Sequence, residues 1–132
     1  MLQPNIALGK TATASTAVSP HNTAKAVGSG SLDVFATPMM VALMERAACD
    51  CLADGLAEGQ SSVGTRIDVE HTAASPIGAE ITATAVITAL NGRKVEFAVT
   101  AGDGKGEIGR GTHTRFVIDA ARFMQRAEER AI

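Results

Sequence analysis

The sequence predicts an α+β fold in which a curved antiparallel sheet of about five strands wraps around one long central helix. Every residue from Met39 to Met44 is apolar, which is typical of a buried helix, and several later segments alternate between apolar and polar side chains, as half-buried strands do. A single apolar helix needs a surface to cover it, and one sheet with an apolar face supplies that surface. At 132 residues the chain can bury a sizeable core, so we expect a single domain over 1–132.

The central helix is predicted to run from about Pro38 to about Leu56. Thr37 is a suitable N-cap and Pro38 suits the first helical position, while Gly55 marks the end of the helix. Glu45 closes the apolar run, and the positions three and four residues away on either side hold only Val, Ala, Ala and Cys. The charge of Glu45 therefore needs a partner from elsewhere in the fold.

Five strands are predicted, covering residues 10–18, 63–71, 80–90, 93–101 and 107–118. Asn91-Gly92 is a strong hairpin signal because both residues tolerate the positive φ of a type I′ turn. Residues 19–33 are expected to form a loop, and the charged segment 119–130 is expected to form a helix capped by Asp119. The last three strands should therefore form a meander.

The strand 63–71 is predicted to have one apolar face. Val63, Ile67 and Val69 share that face with His71, so a regular strand points the imidazole at the core, where it needs a partner. In the last strand, Gly109 and Gly111 share a face, which indicates a bulge or the close approach of another backbone.

Composition and motifs exclude several classes of function. The net charge of -2 and the aromatic content of 3% offer no basic, aromatic surface for nucleic acid. No run approaches the ~18 apolar residues of a membrane span, and the N-terminus lacks the pattern of a secretion signal, so we expect a cytoplasmic protein. Cys49 and Cys51 point apart on a helix and are predicted to be buried thiols. Without a Cys-x-x-Cys pair, a phosphate loop or a His-Glu-x-x-His helix, no cofactor and no metal are expected.

Three sequence features together resemble the hot-dog-fold acyl-CoA thioesterases, and within them the fluoroacetyl-CoA thioesterase type. These features are the stretch Val34-Phe35-Ala36-Thr37-Pro38, Glu45 eight positions after Thr37, and a strand that contains Gly64-Thr65 and ends near His71. The likeness covers about residues 10–123. It implies a hot-dog fold and the hydrolysis of an acyl-CoA thioester to free acid and CoA.

By this resemblance Thr37, Glu45 and His71 form the catalytic set, and the backbone N–H of Gly64 contacts the thioester carbonyl oxygen. We favour Glu45 as nucleophile or base, His71 as its acid/base partner near it, and Thr37 as the hydroxyl that orients them. On one straight helix Thr37 and Glu45 lie about 12 Å apart along the axis and cannot touch. Either the cap region departs from the helix, or Thr37 of one protomer meets Glu45 of the other. We prefer the second arrangement, which requires a homodimer.

Structural roles are the alternatives to this site. Glu45 could simply bond an Arg or the backbone of a neighbouring strand, His71 could be a satisfied core histidine, and Thr37 could be a plain N-cap. His113 is expected to meet solvent or make a sheet contact. Four arginines are candidates for the CoA phosphates, although solvated strand charges are the simpler interpretation: Arg66, Arg93, Arg110 and Arg115.

The chain also departs from the fluoroacetyl-CoA type. Residues 24–33 contain no aromatic side chain, whereas the fluoroacetyl-CoA enzyme has a Phe-bearing lid near here, and Phe35 alone does not replace it. A general short-chain or aromatic acyl-CoA is therefore an equally open substrate. The rival function is a non-catalytic hot-dog module that binds acyl thioesters or serves as a dimeric interaction domain. A hydratase of this fold is disfavoured because no Asp-x-x-x-x-His pattern is present.

Overall fold

One five-stranded antiparallel sheet curls around the central helix in the computed structural model, which describes residues 2–131. The strand order is β1-β3-β4-β5-β2. This arrangement confirms the predicted α+β hot-dog fold. In chain order the elements are β1 Thr11–Ala17, α1 Ala24–Val27, α2 Thr37–Ala53, β2 Gln60–His71, β3 Glu80–Asn91, β4 Lys94–Gly102, β5 Glu107–Asp119 and α3 Ala120–Glu129.

The core lies between α2 and the concave face of the sheet. From α2, the fully buried side chains include Met40, Met44 and Leu52, and they pack against buried aliphatic and aromatic residues of β3, β4 and β5. The predicted helix forms, but it is buried on one face: Met40, Leu43 and Met44 are buried, whereas Met39 and Val41 are half-buried and Ala42 is exposed. Among the described residues, no helix is long and apolar enough to cross a membrane.

The start of α2 differs from the prediction. Ala36 is the N-cap and makes no side-chain cap hydrogen bond, whereas Thr37 is the first helical residue. The prediction of Thr37 as N-cap was wrong because its hydroxyl bonds a side chain on β2 instead of the first turn of its own helix. The helix also ends at Ala53, three residues before the predicted Leu56.

The β3–β4 hairpin and the last helix form where the sequence predicts them. The predicted β3–β4 hairpin forms, with Asn91 paired to Lys94 and Gly92 at a φ of 60°. The predicted type I′ turn over Asn91-Gly92 was wrong, because Asn91 is the last residue of β3 and does not have a positive φ, so Gly92 and Arg93 form the loop. Asp119 accepts a hydrogen bond from the backbone N–H of Arg122 and caps α3. The short helix α1 was not predicted; it lies within the segment expected to be a loop.

A β-bulge in β2 changes which residues face the helix. Gly64 pairs with Arg115 and Arg66 pairs with the preceding residue of β5, so Thr65 is an extra residue in the ladder. Ile67 and Val69 pack against the core beyond the bulge. Val63 lies before it and is on the opposite face. The predicted regular alternation from Val63 to His71 was therefore wrong, because the extra residue reverses the alternation.

Gly109 of β5 lets the helix approach the sheet closely. A Cβ on Gly109 would lie 2.5 Å from the sulfur of Met40 and 2.7 Å from the carbonyl oxygen of Glu70. A side chain there would displace the end of the Met40 side chain and collide with the backbone of β2. The close approach indicated by the two glycines of β5 is therefore real, and it fixes the depth at which α2 lies.

Candidate active site

Thr37 and His71 meet where the start of α2 crosses the end of β2. Thr37 Oγ1 lies 2.7 Å from His71 Nδ1. Burial lowers the pKa of His71, and the nearby backbone of Ala73 partly offsets this shift. The other ring nitrogen, Nε2, is buried and has no hydrogen-bond partner among the described residues. The imidazole is thus held at Nδ1 by a hydroxyl and has an unused polar atom at Nε2.

A small cleft opens beside this pair. Its volume is about 270 Å³, and it lies between the segment that leads into α2 and the chain that follows β2. Phe35 forms part of its wall next to Thr37 and His71. The full lining is Ala24, Ser29, Val34, Phe35, Thr37, His71, Thr72, Ala73 and Ala74.

Glu45 forms an ion pair with Arg115 of β5. Arg115 Nη1 lies 3.3 Å from Glu45 Oε2, and the Glu45 side chain remains 40% exposed. The partner of this carboxylate thus comes from another element, as the helix sequence predicts. Arg115 also donates from Nε to the Ser62 hydroxyl at 2.9 Å and from Nη2 to the Ser62 carbonyl at 3.0 Å. The expectation of a solvated Arg115 was wrong, because this side chain points to the helix-facing side of β5 and is buried there.

His113 lies beside this ion pair and is only 2% exposed. Of the two roles expected for it, the structure shows the sheet contact: Nδ1 lies 2.7 Å from the carbonyl oxygen of Arg66. Nε2 lies 3.2 Å from Arg115 Nη1. Burial lowers the pKa of His113; the bond to the Arg66 carbonyl opposes this shift, the charge of Arg115 adds to it, and Glu45 opposes it.

Gly64 has no space for a side chain because it lies against the same cluster. A Cβ there would lie 2.7 Å from Glu45 Oε2, 3.0 Å from His113 Cε1 and 3.2 Å from Arg115 Nη1. A side chain at Gly64 would therefore displace the Glu45 carboxylate and press on the His113 ring. The backbone of β2 and the Glu45 carboxylate are consequently in direct proximity.

The predicted site residues therefore form two pairs, Thr37 with His71 and Glu45 with Gly64. Gly64 and His71 are separated by about 20 Å along β2, at roughly 3.3 Å per residue. In the described chain no hydrogen bond or ion pair joins Glu45 to His71. The expected proximity of Glu45 and His71 thus does not occur within one chain.

Sequence reasoning missed the roles of His113 and Arg115. Both lie on the same face of β5 as Gly109, Gly111 and the buried Val117. That alternation is a signal that could have placed their side chains against the helix. Over residues 2–131, no group of three His, Cys, Asp or Glu side chains is arranged to hold a metal ion.

Comparisons with known proteins agree with this architecture. A family model described as fluoroacetyl-CoA-specific thioesterase, FlK, matches residues 18–121. The fluoroacetyl-CoA thioesterase of Streptantibioticus cattleyicolor is 44% identical over 98 residues, which are 74% of this chain and 70% of that protein.

Two solved structures illustrate the similarity in three dimensions. One structure of FlK is 38% identical, with a TM-score of 0.88 over 93% of this chain and 96% of that one. A Thermus thermophilus protein, described as a thioesterase superfamily member, is 28% identical, with a TM-score of 0.86 over 95% of each chain. The residues matched by the family model include both pairs of candidate site residues.

Proposed function

This chain belongs to the fluoroacetyl-CoA-specific thioesterase family and is a thioester hydrolase, and we propose that it cleaves short acyl-CoA thioesters at a site that two copies of the chain build together. The observation that supports this proposal most strongly is the Thr37–His71 pair with its unused Nε2. A base held by a hydroxyl and lacking a second partner is half of a catalytic arrangement. The other half, Glu45 with Gly64, is present in the same chain but too far along β2 to complete it.

The position of β2 supports a shared site. This strand of 12 residues is the last in the sheet order, so one of its edges has no neighbouring strand among the described residues. Unpaired backbone groups along a long edge strand favour pairing with another strand. In a symmetric dimer the same strand of a second copy can occupy that edge in antiparallel orientation.

One register of that pairing brings the two halves together. If the two-fold axis passes next to Asp68, the partner subunit's His71 falls opposite the Gly64-Thr65 bulge. Ile67 then lies opposite the partner subunit's Val69. Each of these pairs keeps helix-facing side chains on the same side of the joint sheet, as antiparallel pairing requires.

Charges on the outer face of β2 are consistent with the same register. It places Arg66 opposite the partner subunit's Glu70, and by symmetry the reverse pair forms as well. Both side chains are exposed in the single chain and therefore free to meet a second copy. The two copies of Asp68 face each other near the axis, between the two Arg66 side chains, and opposite charges in cross-strand positions offset that repulsion.

In the completed site, each residue has a separate task. Neutral His71 is the acid/base group, and the Thr37 hydroxyl fixes its ring. Glu45 of the partner subunit acts on the thioester carbonyl, either as nucleophile or as base on a water, and the partner subunit's Arg115 holds that carboxylate in place. The backbone N–H of the partner subunit's Gly64 donates to the carbonyl oxygen as negative charge develops on it.

The acyl group that fits this site is short. The cleft that one chain contributes has a volume of about 270 Å³, just below the roughly 300 to 1,000 Å³ of small-molecule pockets. Residues 24–33 supply no aromatic side chain to close over the acyl group. We therefore expect weaker discrimination between fluoroacetyl and other short acyl groups than a site enclosed by aromatic residues provides.

Turnover of a series of acyl-CoAs tests the proposed activity. The purified protein is incubated with acetyl-, fluoroacetyl-, butyryl-, octanoyl- and benzoyl-CoA, and the released thiol is measured. We expect the fastest release from the short acyl groups and none from the Glu45→Gln variant, whose fold is checked by circular dichroism. Binding without release from any substrate would contradict hydrolysis and favour a non-catalytic acyl-thioester module.

The same protein can distinguish the two roles of Glu45. Mass spectrometry of acid-quenched samples during turnover of a slow substrate shows whether an acyl group is attached to the protein. An adduct on the peptide that contains Glu45 identifies a nucleophile, whereas no adduct identifies a base acting on water. An adduct on Thr37 would contradict the assigned roles.

A further inference from the structure

Among residues 2–131, His113 makes two hydrogen bonds, and its Nε2 also lies 3.9 Å from Glu45 Oε2 of the candidate site. Its Nδ1 faces the Arg66 carbonyl at 2.7 Å and its Nε2 faces Arg115 Nη1 at 3.2 Å. The ring also stacks on Phe97, with centroids 6.1 Å apart. Since the side chain is only 2% exposed, water cannot replace either polar partner without opening the core.

These two partners determine the protonation state of the ring. A carbonyl oxygen only accepts hydrogen bonds, so Nδ1 must carry the hydrogen. A guanidinium only donates, so Nε2 must be the acceptor. The two hydrogen bonds therefore favour a neutral imidazole in the Nδ1–H form. A doubly protonated ring would turn an N–H group against the N–H groups of Arg115, which are closer to Nε2 than the Glu45 carboxylate is.

The contact at Nδ1 attaches His113 to the bulge of β2. Arg66 directly follows Thr65, the extra residue that interrupts the pairing of β2 with β5. The His113 side chain satisfies the Arg66 carbonyl at this irregularity. Gly64, on the other side of Thr65, would place a Cβ 3.0 Å from His113 Cε1. The imidazole thus bonds one end of the bulge and lies over the space that a side chain at the other end would occupy.

The contact at Nε2 attaches His113 to the group that holds Glu45. Arg115 Nη1 has two hydrogens, and its two acceptors are Glu45 Oε2 at 3.3 Å and His113 Nε2 at 3.2 Å. The remaining donors used by Arg115 go to Ser62. His113 Nε2 is therefore the buried acceptor of Arg115 Nη1, and Glu45 Oε2 is the more exposed one.

We propose that His113 is a positioning residue, which fixes Arg115, and through it Glu45, relative to the backbone of Gly64. This inference rests on the function proposed above, in which the Glu45 carboxylate and the Gly64 N–H act on the same thioester. The buried imidazole of His113 would keep these two groups aligned. An apolar residue could fill the same volume, but it would remove one hydrogen bond from the Arg66 carbonyl and one from Arg115. His113 does not contact the reacting atoms.

Two substitutions separate its two contacts. His113→Asn places an amide near the position of Nδ1, where it can donate to Arg66 but cannot accept from Arg115. His113→Gln places an amide oxygen near the position of Nε2, where it can accept from Arg115 but leaves the Arg66 carbonyl unpaired. A merely structural role predicts that activity follows stability in both variants.

The positioning role predicts a different outcome. We expect His113→Asn to lower kcat roughly 10-fold or more at nearly unchanged KM, and His113→Gln to retain kcat within about 3-fold even if its melting temperature is lower. Wild-type kcat in His113→Asn would overturn the proposal, as would losses of kcat that parallel the losses of stability in both variants. Thermal unfolding supplies the stability comparison.

A measurement that does not depend on turnover completes the test. Nitrogen-15 NMR of the histidine rings reports which nitrogen is protonated, and His113→Asn identifies the signal. We expect the Nδ1–H form of His113 in the wild-type protein down to acidic pH. The groups around the ring are the Arg66 carbonyl, the Arg115 guanidinium and the Glu45 carboxylate. An Nε2–H or doubly protonated ring at neutral pH would contradict the inference even in an active enzyme. Inactivity of the wild-type protein on every acyl-CoA would instead contradict the proposed function.

Discussion

Thr37 Oγ1 lies 2.7 Å from Nδ1 of His71, so the hydroxyl at the start of α2 holds the imidazole at the end of β2, although 34 positions separate the two residues in the chain. A capping hydroxyl would accept a hydrogen bond from a backbone N–H in the first turn of its own helix. Here the cap is Ala36, which makes no side-chain bond, and the threonine is used across the fold. The first residue of the central helix therefore contacts His71 instead of capping the helix.

Removal of the Thr37 hydroxyl tests this relationship. Thr37→Val keeps the shape of the side chain but cannot bond Nδ1, so we expect kcat to fall roughly 10- to 100-fold, the scale of a misplaced acid/base group. Thr37→Ser keeps the hydroxyl and should stay within a few-fold of wild type. The measurement is kcat for a short acyl-CoA, and equal rates for Val and Ser would show that the bond has no catalytic role.

The space around Gly64 makes a second prediction. In Gly64→Ala the new methyl group would overlap Glu45 Oε2 and His113 Cε1, so the carboxylate must move away from the backbone N–H. We expect kcat to fall by roughly 100-fold, the scale on which one oxyanion donor contributes.

Gly102→Ala is a suitable control for this substitution. It also introduces a methyl group into a strand, but its nearest atom, the Gly106 carbonyl oxygen, lies 3.2 Å away and outside the site. We expect kcat of this variant to remain near wild type. If Gly64→Ala were as active as Gly102→Ala, Gly64 would have no part in the reaction.

The depressed pKa of His71 determines the expected pH dependence of activity. Neutral His71 is the active form, and burial lowers its pKa below the ordinary value of 6.5. The acidic limb of the profile of kcat/KM should therefore lie below pH 6.5, and activity should be lost as pH falls through that limb. A limb above pH 6.5 would show that the charge of the partner subunit's Glu45 raises the pKa of His71 by more than burial lowers it.

Stability should also depend on pH in the same direction. The pKa values of His71 and His113 are both lowered in the folded state, so below about pH 6.5 the unfolded chain binds more protons. The free energy of unfolding should fall as pH decreases from 6.5 through the folded pKa values, by at most about 1.4 kcal/mol per pH unit for each histidine. Urea unfolding at pH 7.5 and pH 5.5 measures this difference, and greater stability at pH 5.5 would contradict the account.

The proposed register of the dimer can be tested by exchanging charges. Arg66→Glu places like charges opposite the partner subunit's Glu70 and should weaken association, with sedimentation velocity showing more monomer than in the wild type. Arg66→Glu combined with Glu70→Arg restores opposite charges across the axis and should recover the dimer. If both variants associate like the wild type, another register or another surface forms the contact.

The order of elements was predictable because each one has a clear period in the sequence. The run Met39–Met44 forms a helix, and a hairpin follows Asn91, since both signals depend on residues that are neighbours in the chain. The bulge at Thr65 was not predictable in this way. It exists because β2 has one more residue than β5 between paired positions, and the pattern of a single strand cannot show a mismatch with its neighbour.

The contacts of Glu45 with His113 and Arg115 could not be predicted from the sequence for a related reason. On the helix-facing side of β5, His113 and Arg115 occupy positions that an apolar core would fill with aliphatic residues. Polar residues alternating along a strand ordinarily indicate a solvated face, and only the contacts with Ser62 and Glu45 reveal that this face is buried. The resemblance supplied Thr37, Glu45 and His71, but their distribution over two places in the chain became visible only in three dimensions.

The central claim is that His71 of one subunit works with Glu45 of the other. We would prepare His71→Gln and Glu45→Gln chains with different affinity tags, isolate the heterodimer and measure kcat. Each parent should be inactive, whereas the heterodimer contains one intact site of two and should show about half of the wild-type activity. A heterodimer no more active than its parents would show that both residues must come from the same chain and would contradict the shared site.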